Sequence, residues 1–84
     1  MFFKRKPYRV KLRGHSRVIY SEGSKVMNLF YEMTSGDEIV MHRNELQRWS
    51  PPDDRFVISE EEQARIQTNI SEELMRSKIP VEWA

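Results

Sequence analysis

The hydrophobic and polar positions of this chain change their period near residue 50. Over Pro7 to Gly14, the sequence PYRVKLRG alternates, with Tyr8, Val10 and Leu12 on one face and basic residues on the other. A period of two predicts a β-strand with one solvated face. HSRVIY continues with β-branched and aromatic residues, and SEGS supplies a turn. We therefore predict two strands joined by a tight connection.

The next segment, KVMNLFYEM, is apolar at both alternating positions. Its apolar residues are Val26, Met27, Leu29, Phe30, Tyr31 and Met33. This pattern predicts a central strand that is covered on both faces. TSGD is a turn signal, and EIVMH over residues 38–42 predicts a fourth strand. Because these connections are short, we predict antiparallel pairing.

A helical period begins after RWSPPDD, residues 48–54. The two prolines disfavour helical backbone, so they separate the sheet from the helix. Ser59 and Glu62 match a capping box, which predicts a helix from Ser59 to about Lys78. Its apolar stripe consists of Ala64, Ile66, Ile70 and Leu74. The acidic residues 60–62 favour the positive end of the helix dipole.

The last segment, IPVEWA, again alternates and predicts a terminal strand. The predicted order is therefore β-β-β-β-α-β. This is an α+β fold in which an antiparallel sheet of about five strands packs against one α-helix. Residues 1–6 form a basic lead-in, and residues 7–84 form a single domain.

The charge of the chain is unevenly distributed. Residues 1–25 carry eight Lys or Arg against Glu22 alone, a balance of +7, whereas residues 26–84 carry a balance of −6. Such asymmetry can orient a charged partner. The chain has no cysteine, which is typical of a reducing compartment and predicts a cytoplasmic protein. No apolar run is long enough for a membrane span, so we expect no membrane partner.

Enzyme signatures are absent from the sequence pattern. The three glycines stand at separate turns, and His15 and His42 lack the spacing of a metal pair. No carboxylate has an evident apolar pocket that would shift its pKa. We therefore expect no catalytic residue, no cofactor and no metal. A nucleic-acid-binding module that uses the basic amino-terminal strand is the alternative, although the alternation places Tyr8 on the face opposite the basic residues.

The sequence also resembles a known family. RWSPPDD, followed by a charged helix with isoleucines four residues apart and a short VEW ending, is similar to the bacterial immunity protein 74 family of polymorphic toxin systems. The resemblance runs from about Tyr8 to Trp83 and includes the pair Glu32-Met33 and the turn at Gly36. The family pattern implies a glycine between the helix and the last strand, where this chain has SKIP, residues 77–80.

The resemblance implies that the protein binds a cognate toxin and occludes its active or substrate-binding site. The predicted binding surface is the other sheet face or the loop before the helix. Trp, Tyr and Arg are enriched among interface hot spots. Candidate partner-binding residues are Tyr31, Arg48, Trp49, Asp53, Asp54, Arg55 and Trp83.

Each aromatic candidate also has a structural interpretation. For Tyr31, Trp49 and Trp83 we favour packing in the core, and for Arg48 the alternative is a solvated charge. If the toxin binds nucleotide or nucleic acid, the acidic groups Asp53, Asp54, Glu45 or Glu38 can mimic phosphate. If the toxin is acidic, the basic strand docks instead. The oligomeric state, a monomer or a dimer paired through a sheet edge, also stays open.

Overall fold

A computed structural model describes residues 7–34, 36 and 38–84, and within them five strands and one helix follow the predicted order. The strands are β1 (Tyr8–Arg13), β2 (Arg17–Glu22), β3 (Lys25–Met33), β4 (Ile39–Met41) and β5 (Val81–Trp83), and the helix is α1 (Glu60–Arg76). The α+β fold class is confirmed. The predicted basic lead-in, residues 1–6, lies outside the described residues.

The five strands form one sheet in the order β1-β2-β3-β4-β5. β1 to β4 pair antiparallel, with Val10 opposite Tyr20 and Tyr20 opposite Met27. Gly14 and Gly23 stand in the first two hairpin turns, with φ of 62° and 59°. This left-handed backbone favours glycine, because other residues meet a steric penalty from Cβ.

The last strand corrects the prediction of a wholly antiparallel sheet. β5 pairs parallel to β4, so the sheet is mixed. Ile39 N donates to Pro80 O at 3.0 Å, and Ala84 N donates to Met41 O at 2.8 Å. Parallel neighbours require a long crossover, and the segment between β4 and β5, which contains α1, provides it. Short connections imply antiparallel pairing only for the strands that they join.

The capping box at the start of α1 is confirmed. Ser59 Oγ accepts a hydrogen bond from Glu62 N at 3.2 Å, and Glu62 Oε1 accepts one from Ser59 N at 3.5 Å. Ser59 is the cap, and the helix itself runs over Glu60–Arg76. Of the predicted stripe, Ile66, Ile70 and Leu74 are buried, while Ala64 is exposed.

α1 ends in a Schellman motif, in which two backbone amides beyond the helix bond back into its last turn. Ile79 N donates to Leu74 O at 2.9 Å, and Lys78 N donates to Met75 O at 2.8 Å. Lys78 has φ of 60°, the left-handed position that such a motif usually gives to glycine. In the segment SKIP, residues 77–80, a lysine thus takes the left-handed position.

The core lies on one face of the sheet, between the strands and α1. Its buried residues are Val18, Tyr20, Met27, Leu29, Tyr31, Ile39, Met41, Leu46, Trp49, Ile58, Ile66, Ile70 and Leu74. The prediction that β3 is covered on both faces is wrong, because Val26, Asn28, Phe30 and Glu32 are exposed. The single helix packs on one side of the sheet.

RWSPPDD forms a structural corner between β4 and α1. Trp49 lies in the core with 3% of its surface exposed, so its predicted burial is confirmed. Pro51 and Pro52 are joined by a cis peptide bond, and a short 3-10 turn follows at Asp53–Arg55. Arg48 then forms an antiparallel bridge with Val57, which closes the corner.

Candidate functional site

The face of the sheet opposite α1, called the open face below, presents the alternate residues that the core does not use. They are Arg9, Lys11, Arg13, Arg17, Ile19, Ser21, Val26, Asn28, Phe30, Glu32, Val40 and Glu82. Because these side chains are carried by paired strands, their relative positions are set by the backbone ladder of the sheet.

Three residues form the end row of this face nearest the first hairpin turn. Arg13 lies directly opposite Arg17, and Arg17 lies directly opposite Phe30. The Arg17 guanidinium carbon is 5.3 Å from the centroid of the Phe30 ring, which places the cation over the ring. Phe30 nevertheless keeps 51% of its surface exposed. The row therefore combines two cations with an accessible aromatic ring.

Four cationic side chains, called the basic cluster below, occupy the β1 and β2 side of the open face. They are Arg9, Lys11, Arg13 and Arg17, and all four are exposed. No ion pair joins any of them to a carboxylate within residues 7–34, 36 and 38–84. Like charges directly opposite each other on neighbouring strands are destabilising, so the pair Arg13 and Arg17 weakens the sheet slightly.

Glu22, the sole acidic residue among the first 25, lies on the core side of the sheet and does not neutralise the basic cluster. Its carboxylate accepts two hydrogen bonds from Arg65 of α1, at 2.8 and 3.2 Å, and a third from the Tyr20 hydroxyl. Asn69 Nδ2 also donates to Tyr20 Oη at 2.9 Å. This polar network ties α1 to β2.

The network perturbs the ionisation of two of its members. Burial of the Tyr20 ring, together with its hydrogen bond to the Glu22 carboxylate, raises the pKa of Tyr20 well above the ordinary tyrosine value of 10.0. Hydrogen bonding to the same carboxylate raises the pKa of Arg65. The contact between α1 and β2 accounts for both pKa shifts.

The β3 to β5 side of the open face has the opposite charge. Glu32 lies beside Val40, and Val40 lies beside Glu82. The Glu32 carboxylate is 3.2 Å from His42 Nε2. Glu45, at the edge of β3, accepts a hydrogen bond from Phe30 N at 3.4 Å. The open face is therefore divided into a basic half and an acidic half, with Phe30 between them.

The remaining exposed candidates meet at the proline corner. Arg48 Nη1 donates to Asp54 O at 3.1 Å, and the Arg55 guanidinium carbon is 5.0 Å from the centroid of the Phe56 ring. Asp53 is half-buried in the same turn. Arg48, Asp54, Arg55, Phe56 and Val57 are exposed and are called the corner surface below. Asn28 Nδ2 lies 3.5 Å from Ser50 Oγ, so this surface adjoins the open face.

The three aromatic candidates lie mostly in the core. Tyr31 is 8% exposed, and Trp49 packs against the Tyr20 ring with centroids 6.2 Å apart. Trp83 is half-buried, and its Nε1 donates to Ser71 Oγ on α1 at 2.9 Å. These side chains support the sheet and its helix, and the structure brings only the polar candidates together at the surface. Glu38 lies in the connection between β3 and β4, where its backbone oxygen accepts a hydrogen bond from the Thr34 hydroxyl.

An apolar groove of about 350 Å³ opens at the end of the core where α1 stops. Its lining residues are Leu12, Tyr31, Met33, Ile39, Ser77, Lys78 and Ile79. Leu12 and Met33, which the alternation assigns to the core face, are 42% and 60% exposed. The groove contains no acid or base pair that suggests catalysis.

No group of three or more His, Asp or Glu side chains is arranged to hold a metal ion within the residues that the structure describes. In the same part of the chain, no helix has both the length and the apolar character to cross a membrane.

Phe30 is not among the candidate partner-binding residues that the sequence predicts. Its signal is nonetheless present in β3, where Val26, Asn28, Phe30 and Glu32 alternate with the core residues. A strand face that contains an asparagine and a glutamate is typically solvated, so Phe30 is an apolar residue on a wet face.

Comparison with known proteins adds one finding that the geometry alone does not provide. A family model described as Immunity protein 74 matches residues 10–83 of the chain. No curated protein and no solved structure matches the chain. The matched range extends from β1 to the end of β5, so it contains most of the open face and the whole corner surface.

Proposed function

Because this chain belongs to the immunity protein 74 family, we propose that it binds a cognate bacterial polymorphic toxin and neutralises it. The family match over residues 10–83 is the observation that carries this proposal. The protein acts by occluding the active or substrate-binding site of the toxin domain, which requires a binding surface and no catalysis. We propose that this takes place in the cytoplasm of the cell that makes the toxin.

Two adjoining surfaces of the structure are suited to this role. The open face offers strand-borne charges and the exposed Phe30 ring, and the corner surface offers Arg48, Asp54 and Arg55 beside Phe56. The core beneath these surfaces contains Tyr31 and Trp49, and Trp83 packs against it. Arginine and aromatic side chains dominate the binding energy of many interfaces. Asp53 and Asp54 remain proposed contacts for a toxin that binds nucleotide or nucleic acid, since a carboxylate can mimic phosphate.

The direct test uses the cognate toxin domain, which is sought among the products of the genes next to the gene for this chain. Expression of that domain alone is expected to stop bacterial growth, and co-expression of this chain is expected to restore it. The two purified proteins are expected to form a complex by isothermal titration calorimetry. Growth arrest that this chain does not relieve, together with no heat of binding, would contradict the proposal.

The basic cluster supports a second candidate function, binding of nucleic acid. Phosphate neutralisation requires such cations, and an exposed aromatic ring can stack on a base. Glu32 and Glu82 on the same face oppose it, because they repel phosphate. This candidate predicts retardation of duplex DNA or single-stranded RNA that weakens steeply with added salt. Absence of retardation at low salt would eliminate it.

A further inference from the structure

We propose that the basic cluster and Phe30 form the docking site for an acidic surface patch on the toxin domain. This inference rests on the proposed function and specifies its partner chemistry. Of the two surfaces proposed above, it assigns the charge-dependent docking contact to the open face, and the corner surface is the rival site that the test compares with it. The partner is a folded protein whose carboxylates face Arg9, Lys11, Arg13 and Arg17, and whose apolar group covers the Phe30 ring.

The first support is the absence of an internal partner for these charges. Among the described residues no carboxylate forms an ion pair with the basic cluster. The nearest acid in sequence, Glu22, is held on the opposite side of the sheet by Arg65 and Tyr20. The basic cluster therefore presents four cations on one face, and no carboxylate among the described residues forms an ion pair with any of them.

The second support is the placement of like charges. Arg13 and Arg17 are directly opposed across β1 and β2, an arrangement that disfavours the folded sheet. Within the described residues neither cation pairs with a carboxylate, and the contact of Arg17 with the Phe30 ring leaves both charges in place. A carboxylate that approaches between the two guanidinium groups relieves their repulsion, because each planar group can donate two parallel hydrogen bonds to an acid.

The third support is the aromatic ring on the middle strand, between the two charged halves of the open face. Phe30 is about half exposed, is flanked by the Arg17 cation and is fixed through its own backbone to Glu45. An exposed ring that is held in place by neighbours loses little conformational freedom on binding. An apolar anchor next to charged groups is typical of a protein interface with a desolvated centre and a polar rim.

The charge division favours a protein over a nucleic acid as the partner. Phe30 lies at the boundary between the basic cluster and the acidic half formed by Glu32 and Glu82. A continuous phosphate backbone meets repulsion on one half of this face. A protein surface can present carboxylates to one half and leave the other half neutral or basic, which also sets the orientation of the partner.

The test compares two double variants that reverse the same number of charges. Arg13→Glu with Arg17→Glu alters the open face, and Arg48→Glu with Arg55→Glu alters the corner surface. Association with the purified toxin domain is measured by surface plasmon resonance at several salt concentrations, and circular dichroism establishes that each variant is folded. Phe30→Ser alone supplies a variant of the open face without a charge change.

For the open-face double variant, we expect the association rate constant at low salt to fall at least about tenfold, with a smaller loss at high salt. For the corner variant, we expect the same rate constant to fall by less than about twofold. Equal losses, or a larger loss in the corner variant, would overturn the docking assignment while leaving toxin binding intact. If the wild-type chain binds no toxin domain, or binds duplex DNA instead through Arg13 and Arg17, then both the inference and the proposed function fail.

Discussion

Trp49 occupies the point at which the proline corner meets the sheet. Its ring stacks on Tyr20, whose ring in turn stacks on Tyr8 with centroids 6.0 Å apart. The ammonium group of Lys25 lies 5.8 Å from the centroid of the Trp49 ring. Trp49 thereby fixes the segment before α1 against β2 and β3.

We predict that Trp49→Ala destabilises the fold by about 3 kcal/mol, because it removes a buried aromatic side chain and leaves a cavity. For a domain of this size, the melting temperature should fall by more than about 10 °C. Thermal unfolding followed by circular dichroism measures this change. Phe56→Ala in the same corner is the control and should cost less than about 1 kcal/mol, because the residue is about half exposed. Similar losses for both variants would contradict the assigned role of Trp49.

Burial of Trp49 could be favoured from the sequence but not decided by it. A tryptophan beside two prolines suits a structural corner and an interface equally well. The outcome depends on Tyr20 and Lys25, which come from strands more than 20 residues away in the chain. Contacts of this kind are set by tertiary packing rather than by local pattern.

At the scale of elements, the end of α1 contains a residue in an unfavourable backbone conformation. Lys78 has φ of 60° at the position after the helix cap. We predict that Lys78→Gly stabilises the protein by about 0.5 to 1 kcal/mol, because glycine has no Cβ to clash in this conformation. Urea denaturation measures the gain. Ser77→Gly, one residue earlier at φ of −92°, should give no gain, and an equal gain there would contradict the explanation.

The contact between α1 and β2 should be visible in the alkaline stability of the protein. Since folding raises the pKa of Tyr20 above its unfolded value of 10.0, the neutral hydroxyl stabilises the fold fully below pH 10. This stabilisation is lost as the pH rises above 10, by up to about 1.4 kcal/mol per pH unit.

Tyr20→Phe removes this titration. We predict that the variant is less stable than wild type at pH 8, because it loses the hydrogen bonds to Glu22 and Asn69. Its free energy of unfolding should then fall less steeply than that of wild type between pH 10 and 11. Urea denaturation at each pH measures both slopes, and identical slopes would show that Tyr20 ionises equally in the two states.

Local patterns predicted most elements because their causes lie within a few residues. The capping box of Ser59 and Glu62 marks the helix start, alternation marks β1 and β5, and β-branched and aromatic residues mark β2. Two features were not predictable in this way. The direction of β5 depends on the path of a long crossover, and the exposure of one face of β3 depends on how many helices cover the sheet.

At the scale of the whole molecule, the excess of positive charge in residues 1–25 is evident in the sequence. Alternation also places Arg9, Lys11 and Arg13 on one face of β1. Only the fold shows that Arg17 joins them on the open face, while Glu22 turns toward α1. The register of three strands, rather than any motif, places Phe30 beside these cations.

Phe30→Ala should separate binding from stability. We predict a change of less than about 1 kcal/mol in the free energy of unfolding, because the ring is about half exposed and loses mainly its contact with Arg17. Affinity for the toxin domain should fall at least about tenfold. Val57→Ala on the corner surface is the control and should leave affinity nearly unchanged. Loss of affinity only in the control variant would contradict the central place of Phe30.

The structure of the complex with the toxin domain tests the central claim most directly. We predict that the toxin covers the open face, that Phe30 becomes buried, and that toxin carboxylates lie within hydrogen-bond distance of Arg13 and Arg17. A complex in which the open face remains exposed to solvent and the toxin contacts another surface would contradict this account.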